Sequence, residues 1–585
     1  MKLSSRSARL PHRHARRGAV LASEPPEPPV RSARPPARER SLVLLPNERG
    51  VLPDLLHAKP AISVDEAAVL HALSFAFIAG SAGGALVTAL SRTALAASSF
   101  TPDALQDGLF LDELVTTAFD FPLAGKPAPI DRVQLRRLLS RPPQERADVE
   151  LRQGVLQELV ASEASRQGLT RAYAAVAVLP ALLDDEGSDA RLDTNQWRLD
   201  VLRAVRDAVC ALDATFQHAH SALSRLFAFG ERVRASQGFA RLSELLDFEA
   251  DCARADLQVS LGADGRIRTL SIVSLRERRD SSFYVQPLVR FWRRLLAFFQ
   301  GYTLGPNEIV DRWLETVWDG VREYVPALLQ LKGDLEFYLG SLHFKRLAEA
   351  EGLHVCLPSI ATGSTQAQTK QIHGLWNPLL LGQGRTPVPT DLDLPSFVYT
   401  CITTGPNSGG KTRFLQALGL CQLLGQAGAF VAARSATIRL VTGMFVSLGE
   451  APHADQKEGR LGMELTRIRT LFEHAQGGSL VILDELCSGT NPSEGEEIFR
   501  MLLELLHELE HEVHITTHFL NFAHSLQSEA ESLGLTFLQV ELDAAEHATY
   551  RFVPGVATTS LAQQTAQRLG VTREQLRDLI RRSSS

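Results

Sequence analysis

The sequence predicts a multidomain protein: a mostly α-helical core and lever region, followed by an α/β phosphate-loop domain. Three observations predict this. Residues 105–360 carry helical periodicity with a single interruption. After about Cys356, short apolar segments alternate with helix-forming runs and Gly-rich turns, the texture of an α/β domain. One of those turns, Gly405-Pro406-Asn407-Ser408-Gly409-Gly410-Lys411-Thr412, fits the pattern G-x-x-x-x-G-K-[ST].

The chain has 585 residues, room for about three or four domains. Four segments are expected: a basic tail over 1–45, a small helical segment over 46–104, the helical region over 105–360 and the phosphate-loop domain over 361–585. A composition of 44% hydrophobic and 22% charged residues is that of a soluble globular protein. The net charge of −6 excludes a uniformly basic nucleic-acid coat but allows a local basic groove. Six scattered cysteines form no C-x-x-C pair, so neither a zinc site nor a disulfide framework follows, and a reducing cytoplasm is expected.

The first forty residues are rich in Arg, Pro and Ser without a periodic apolar face, which predicts a disordered, solvated tail. Its run Arg13-His14-Ala15-Arg16-Arg17 could touch phosphates through plain charge. No apolar core follows those charges, so no secretory leader is expected. Ala72 to Ser91 carries no formal charge and is as long as a bilayer span, but Gly80, Gly83 and Gly84 interrupt it. Ser63-Val64-Asp65-Glu66 before it looks like a capping box. The expectation is two short buried helices around a glycine turn and no stable membrane association.

Within the helical region, Ala147 to Ala175 reads as one long amphipathic helix, and Leu192 to Phe229 repeats the style. A hairpin interrupts them, pairing Leu257–Leu261 with Arg266–Val273 around Ala263-Asp264-Gly265. Helices resume at Pro287 and run to Arg346. Basic clusters at Arg276, Arg278 and Arg279 and at Arg290, Arg293 and Arg294 fit phosphate contacts or solvated helix faces.

The phosphate-loop pattern carries a mechanism. Its glycines let backbone N–H groups close around an anion, and the following helix directs its positive end at the phosphates. Lys411 would reach the terminal phosphates of ATP, and the Thr412 hydroxyl would hold Mg²⁺, with Arg413 opening the helix beyond. Ser479–Leu483 is an apolar strand that delivers Asp484 to the Mg²⁺ shell and Glu485 to the attacking water. The small polar turn that follows, with Ser488, Gly489 and Thr490, suits a loop that meets a partner subunit at the nucleotide. Val513–Thr517 forms another strand, ending in His518, which could hydrogen-bond the γ-phosphate.

Together Thr404–Thr412, Leu483–Thr490 and Thr516–Phe519 resemble the ATPase domain of the MutS DNA mismatch repair family. Tyr550–Ala557 with Ser560-Leu561 resembles that family's terminal hairpin, and Ala562–Arg581 its helix-turn-helix. His373–Leu379 resembles the segment that helps hold the adenine, which gives His373 and Asn377 an adenine-side role by resemblance. The likeness is sharp over 370–581 and diffuse over 105–350, where Leu135–Pro143 and Gly333–Ser341 look like the family's helical core. It implies an ABC-type head, ATP and Mg²⁺ as ligands, a homodimer with two composite sites, and DNA that is duplex, mismatched or branched as partner.

Departures from the family pattern are also visible. The mismatch-reading domain is missing, and Phe229-Gly230-Glu231 matches its wedge only formally. The stretch Asp455–Leu465 lacks the serine that acts across the dimer, leaving Gly459, Arg460 and Glu464 as candidates to face the partner's γ-phosphate. The chain stops soon after the helix-turn-helix, from which a branch without the endonuclease tail is expected. Two functions follow: an ATP-driven clamp on mismatched, branched or distorted DNA, or an ATP-driven switch that assembles protein partners without DNA.

Overall fold

The structure, a computed structural model, describes residues 51–82, 84–95, 108–184, 194–251, 254–261, 267–276, 306–361, 369–384, 386–448, 460–474, 477–487, 490–558 and 571–583. The chain divides into Met1–Pro46 and Asn47–Ser585. The expected basic tail lies outside the described residues, as do Cys252, the hairpin turn 263–265, Arg278, Arg279 and the cluster at 290–294.

Two helices open the described chain, α1 (Glu66–Ala79) and α2 (Ala85–Ser91). Asp65, not Ser63, caps α1, accepting from the Ala68 N–H at 3.1 Å. Ser63 is engaged elsewhere, its N–H donating to Gln330 at 2.7 Å. Val69, Leu73 and Phe77 recur every four residues and are buried, and Phe77 stacks on Trp318 with ring centroids 4.5 Å apart. Gly80, at φ 89°, closes the helix in a left-handed conformation that a side chain would strain. Phe75, Ile78 and Val87 are exposed, so the pair is only half covered. Among the described residues no helix is long and apolar enough to cross a membrane.

The helical region continues through α3 (Arg132–Ser140), α4 (Arg146–Ala161), α5 (Glu163–Val176), α6 (Val178–Asp184), α7 (Thr194–Cys210), α8 (Ser224–Arg234) and α9 (Gln237–Asp251). The single helix expected over 147–175 is two. Ser162 takes φ −117° and ψ 111°, ends α4, and turns its hydroxyl to accept from the Ser165 N–H of α5. A serine competes for backbone groups in this way, and apolar periodicity alone does not reveal it. The run 192–229 likewise divides, with a short 3₁₀ turn at Ala214–Phe216 between α7 and α8. The hairpin forms as β1 (Arg254–Leu261) and β2 (Ile267–Arg276), antiparallel. Beyond it run α10 (Pro306–Asp319) and α11 (Val325–Ala350).

At 26 residues α11 is the central post and is buried along most of its length. The irregular stretch 51–64 is bound to it by polar contacts: Asp334 accepts from the Leu55 N–H, and the Tyr338 hydroxyl donates to Leu55 O. Arg225 of α8 adds three bonds, to the carbonyls of Asp54, His57 and Ala58.

The C-terminal part is α/β. In chain order it comprises β3 (Ser359–Ile360), β4 (Lys370–Leu375), β5 (Thr390–Leu394), β6 (Tyr399–Thr404), α12 (Lys411–Gln426), β7 (Ser435–Ile438), β8 (Met444–Ser447), α13 (Arg460–His474), β9 (Leu480–Leu483), α14 (Pro492–Glu508), β10 (Glu512–Thr516), α15 (Leu520–Leu526), β11 (Leu535–Leu542), β12 (Ala548–Pro554) and α16 (Arg573–Ser583). A six-stranded sheet runs β8-β9-β10-β6-β11-β12, parallel except for β12. β6, β9 and β10 are buried at every position; β9 is an unbroken apolar run, whereas β6 and β10 carry buried polar residues between their apolar ones. A four-stranded sheet, β3-β7-β4-β5, stands beside it. The C-terminal end of α12 meets the helical region. Arg152 of α4 donates to Ala427 O at 3.1 Å and to Leu56 O at 2.9 Å, and Gln426 donates to Pro143 O at 3.1 Å.

A buried polar cluster sits at the start of β10, opposite the phosphate loop. Glu512 is fully buried and pairs with Lys370, with His514 Nε2 3.3 Å away and Tyr399 Oη also at 3.3 Å. Burial holds His514 below the usual histidine pKa, although Glu512 pulls the other way. His511 is shifted in the same direction, by burial and then by Arg439. Below pH ~6.5 the unfolded chain therefore binds more protons at these two positions than the folded one, so their stabilisation is present above that pH and is lost as pH falls. His57 is raised by its Asp54 partner against the opposing effect of burial, and it acts in the opposite sense. The unfolding free energy should fall by up to about 1.4 kcal/mol per pH unit for each neutral histidine, going from pH 6.5 to 5. Denaturant titration of the wild type and of His511→Gln/His514→Gln checks this, since the double variant should show a flatter profile.

Candidate active site

The phosphate loop lies where the sequence puts it, between the central strand β6 and α12. Gly405 has φ 139° and Gly410 has φ 87°, both on the left-handed side where glycine is favoured. A Cβ at Gly409 would lie 2.8 Å from Val540 and 3.0 Å from Pro406 O, so the loop is packed too tightly for a side chain there. Gly410 is the N-cap of α12 and supplies no side-chain cap, which leaves the first N–H groups of the helix available to an anion. Lys411 is 3% exposed and folds back, donating to Gly405 O at 2.9 Å, Pro406 O at 3.2 Å and Asn407 Oδ1 at 3.4 Å. Burial lowers its pKa, and Glu485 and Asp484 partly restore it. Ser408 is exposed within the loop, and Arg413, the residue after it, donates to Gln416 at 3.0 Å.

The ends of the parallel strands β9 and β10 and the first turn of α12 bring Asp484, Glu485, Thr516 and Thr412 together. Thr412 Oγ1 donates to Asp484 Oδ2 at 2.6 Å, and Thr516 Oγ1 donates to Asp484 Oδ1 at 2.5 Å. The Glu485 N–H donates to Thr516 Oγ1 at 2.7 Å. Glu485 sits at φ 51°, a left-handed backbone that costs a non-glycine residue about 1–3 kcal/mol and is held here by that bond. A hydroxyl and a carboxylate 2.6 Å apart are oxygen donors of the kind Mg²⁺ takes, so Thr412 and Asp484 fit that ion.

The remaining sequence candidates divide. His518 is exposed just past β10, its ring 4.3 Å from that of Phe519. Asn377 is buried and engaged: its amide donates to Arg413 O and Gln416, and its carbonyl accepts from the Leu379 N–H. It braces the first turn of α12. His373 lies on β4 with Asp391 and Asp393 about 4 Å away, at 4.0 and 3.9 Å. Glu464, a candidate to face a partner, accepts from the Cys487 N–H of its own chain at 2.8 Å. The Thr490 hydroxyl donates to Glu494 at 3.0 Å at the start of α14. Gly459, Ser488 and Gly489 lie outside the described residues, and Arg460 begins α13.

Sequence reasoning missed two residues. Thr516 donates to the Asp484 carboxylate and accepts from the Glu485 N–H; its signal was its place at the end of a strand neighbouring β9. Tyr550, at φ 60° and 53% exposed on β12, brings its ring to 3.3 Å from the Cβ position of Gly410. Nothing local in the sequence places an aromatic ring there, because the two meet through the sheet.

A strand, an amide-lined glycine loop, a helix and a strand-end acid pair define an ATPase-like domain. Residues 401–578 match the family model for MutS domain V. The chain is similar to proteins named Endonuclease MutS2: 30% identical over 298 residues to that of Thermomicrobium roseum, covering 49% of this chain and 36% of that protein. It is 31% identical over 245 residues to that of Streptococcus mutans (41% and 29%), and 33% identical over 220 residues to that of Streptococcus agalactiae (37% and 26%). The chain thus spans about a third or less of the length of the curated relatives it matches.

These likenesses correct one expectation. The chain was expected to represent a branch without the endonuclease tail, yet the relatives it matches carry the endonuclease name. The likeness is to the MutS2 branch, and the point where this chain stops does not define a branch.

Proposed function

We propose that this chain hydrolyses ATP and uses the cycle to drive a clamp-like change in a homodimer on mismatched, branched or distorted DNA. The observation that carries the reading is the junction of Thr412, Asp484, Thr516 and Glu485 beside an uncapped helix N-terminus. In this reading the triphosphate lies across Gly405–Gly410, and Lys411 exchanges the loop carbonyls for phosphate oxygens. Thr412 and Asp484 would hold Mg²⁺, which supplies charge neutralisation at the phosphates. Glu485 orients and deprotonates the attacking water, and His518 hydrogen-bonds the γ-phosphate. The exposed ring of Tyr550 offers a face to the adenine, His373 keeps the adenine-side role that the family resemblance implies, and Asn377 acts through the turn it braces. Ser488, Gly489, Thr490, Gly459 and Arg460 are assigned to the partner's site, and Glu464 to holding the loop at Cys487.

The DNA part of the reading rests on the MutS likeness and on the endonuclease name of the relatives. A test combines ATP turnover and binding, for the full chain, on linear duplex, mismatched duplex and four-way branched DNA at several salt concentrations. The reading predicts salt-dependent binding, tightest on branched or mismatched DNA, and a turnover rate that changes with DNA. Turnover indifferent to every DNA, with no salt-dependent binding, would favour a switch that assembles protein partners.

A further inference from the structure

A cavity of about 600 Å³ lies within the helical region, between the 51–64 stretch, α3, α4 and α11. It has no part in the nucleotide chemistry. Its size is that of a small-molecule site, and its wall is mostly apolar, with Ile62, Val64, Leu90, Leu135, Leu138 and Leu329. The polar part of the wall is unbalanced: five carboxylates line it against three permanent cations.

Four of those carboxylates are not equivalent to the fifth. Glu336 is bonded to Lys332, to the Tyr173 hydroxyl and to the Asp131 N–H. Asp131 caps α3, and Asp148 accepts from the Ala58 N–H at 2.7 Å. Glu145 stands at the exposed N-terminal end of α4. Asp334 is 3% exposed and accepts one hydrogen bond among the described residues, from the Leu55 N–H at 3.0 Å. No cation pairs with it at ion-pair distance among the described residues. Burial and then the neighbouring Asp54 push its carboxyl up to about 8, against the lowering effect of the Leu55 N–H, His57 and Arg152, and so favour its protonated form.

We propose that this cavity binds a small organic cation, an ammonium group on an apolar body, with Asp334 as its counter-ion. On binding, the carboxyl of Asp334 releases its proton to solvent, the ammonium donates to the resulting carboxylate, and the body fills the leucine-lined space. The same wall contains Arg152, which reaches Ala427 O at the end of α12, so an occupant lies one side chain from the phosphate-loop helix.

Isothermal titration of the full chain with phenethylammonium tests the site, with 3-phenylpropanol and 3-phenylpropionate as neutral and anionic counterparts. One-to-one saturable binding of the amine is expected, at least tenfold tighter than the alcohol and with no binding of the acid. Asp334→Asn keeps the acceptor for the Leu55 N–H and should weaken the amine at least tenfold without moving the thermal midpoint. Gly333 lines the cavity, and a Cβ there meets nothing within 4 Å. Gly333→Leu therefore fills the space while improving helix propensity, and should abolish binding with the fold intact. Equal affinity for amine and alcohol, unchanged binding by Asp334→Asn, or no saturable heat with the amine at millimolar concentration would overturn the proposal.

Discussion

Lys411→Ala is expected to abolish ATP binding, weakening it by at least a hundredfold, or about 3 kcal/mol. The residue emerges from the first turn of α12, and its ammonium rests on the carbonyls of Gly405 and Pro406. That resting position keeps a buried cation at the mouth of the loop, one rotamer change from the phosphates. Alanine removes the cation but leaves the glycine conformations and the helix in place, so the thermal midpoint should move by only a few degrees. Fluorescent-nucleotide titration together with a thermal melt separates loss of the ligand from loss of the fold. Tight binding by a folded Lys411→Ala would remove the phosphate-loop assignment.

Glu485→Gln should do the opposite: it retains ATP and stalls its turnover, by about 10²–10⁴-fold if the carboxylate is the general base. The backbone at φ 51° and the N–H bond to Thr516 do not depend on the side-chain charge, so the loop should keep its shape. Glutamine retains the size and an acceptor but loses the basicity. Single-turnover hydrolysis with the measured nucleotide affinity held alongside is the check. Normal hydrolysis by this variant would assign the water to another group.

The phosphate loop and the acid pair were legible because their chemistry is local. Glycines, a lysine and a threonine at fixed spacing, and an apolar strand ending in two acids, leave little freedom in how they fold. The strand order was not legible, since β6 pairs with β10 and β11 through contacts more than a hundred residues apart in sequence. Thr516 and Tyr550 were missed for that reason: each acquires its role only when the sheet sets it beside Asp484 or Gly410. The break at Ser162 was missed because periodicity reports a face and not its continuity, and one side-chain hydroxyl decided it. Asp65 and not Ser63 is the cap because the helix starts at Glu66, which puts the Asp65 carboxylate within reach of the Ala68 N–H. The expected branch failed for a different reason: it was read from where the chain ends, whereas the likeness to MutS2 lies in residues that are present.

The measurement that bears most directly on the account is the wild-type half of the first experiment: titration of ATP into the full chain, with and without magnesium. Saturable binding in the micromolar range, about −8 kcal/mol, that weakens when magnesium is withheld is the expected result. A folded protein that retains no nucleotide at millimolar ATP with magnesium present would contradict it.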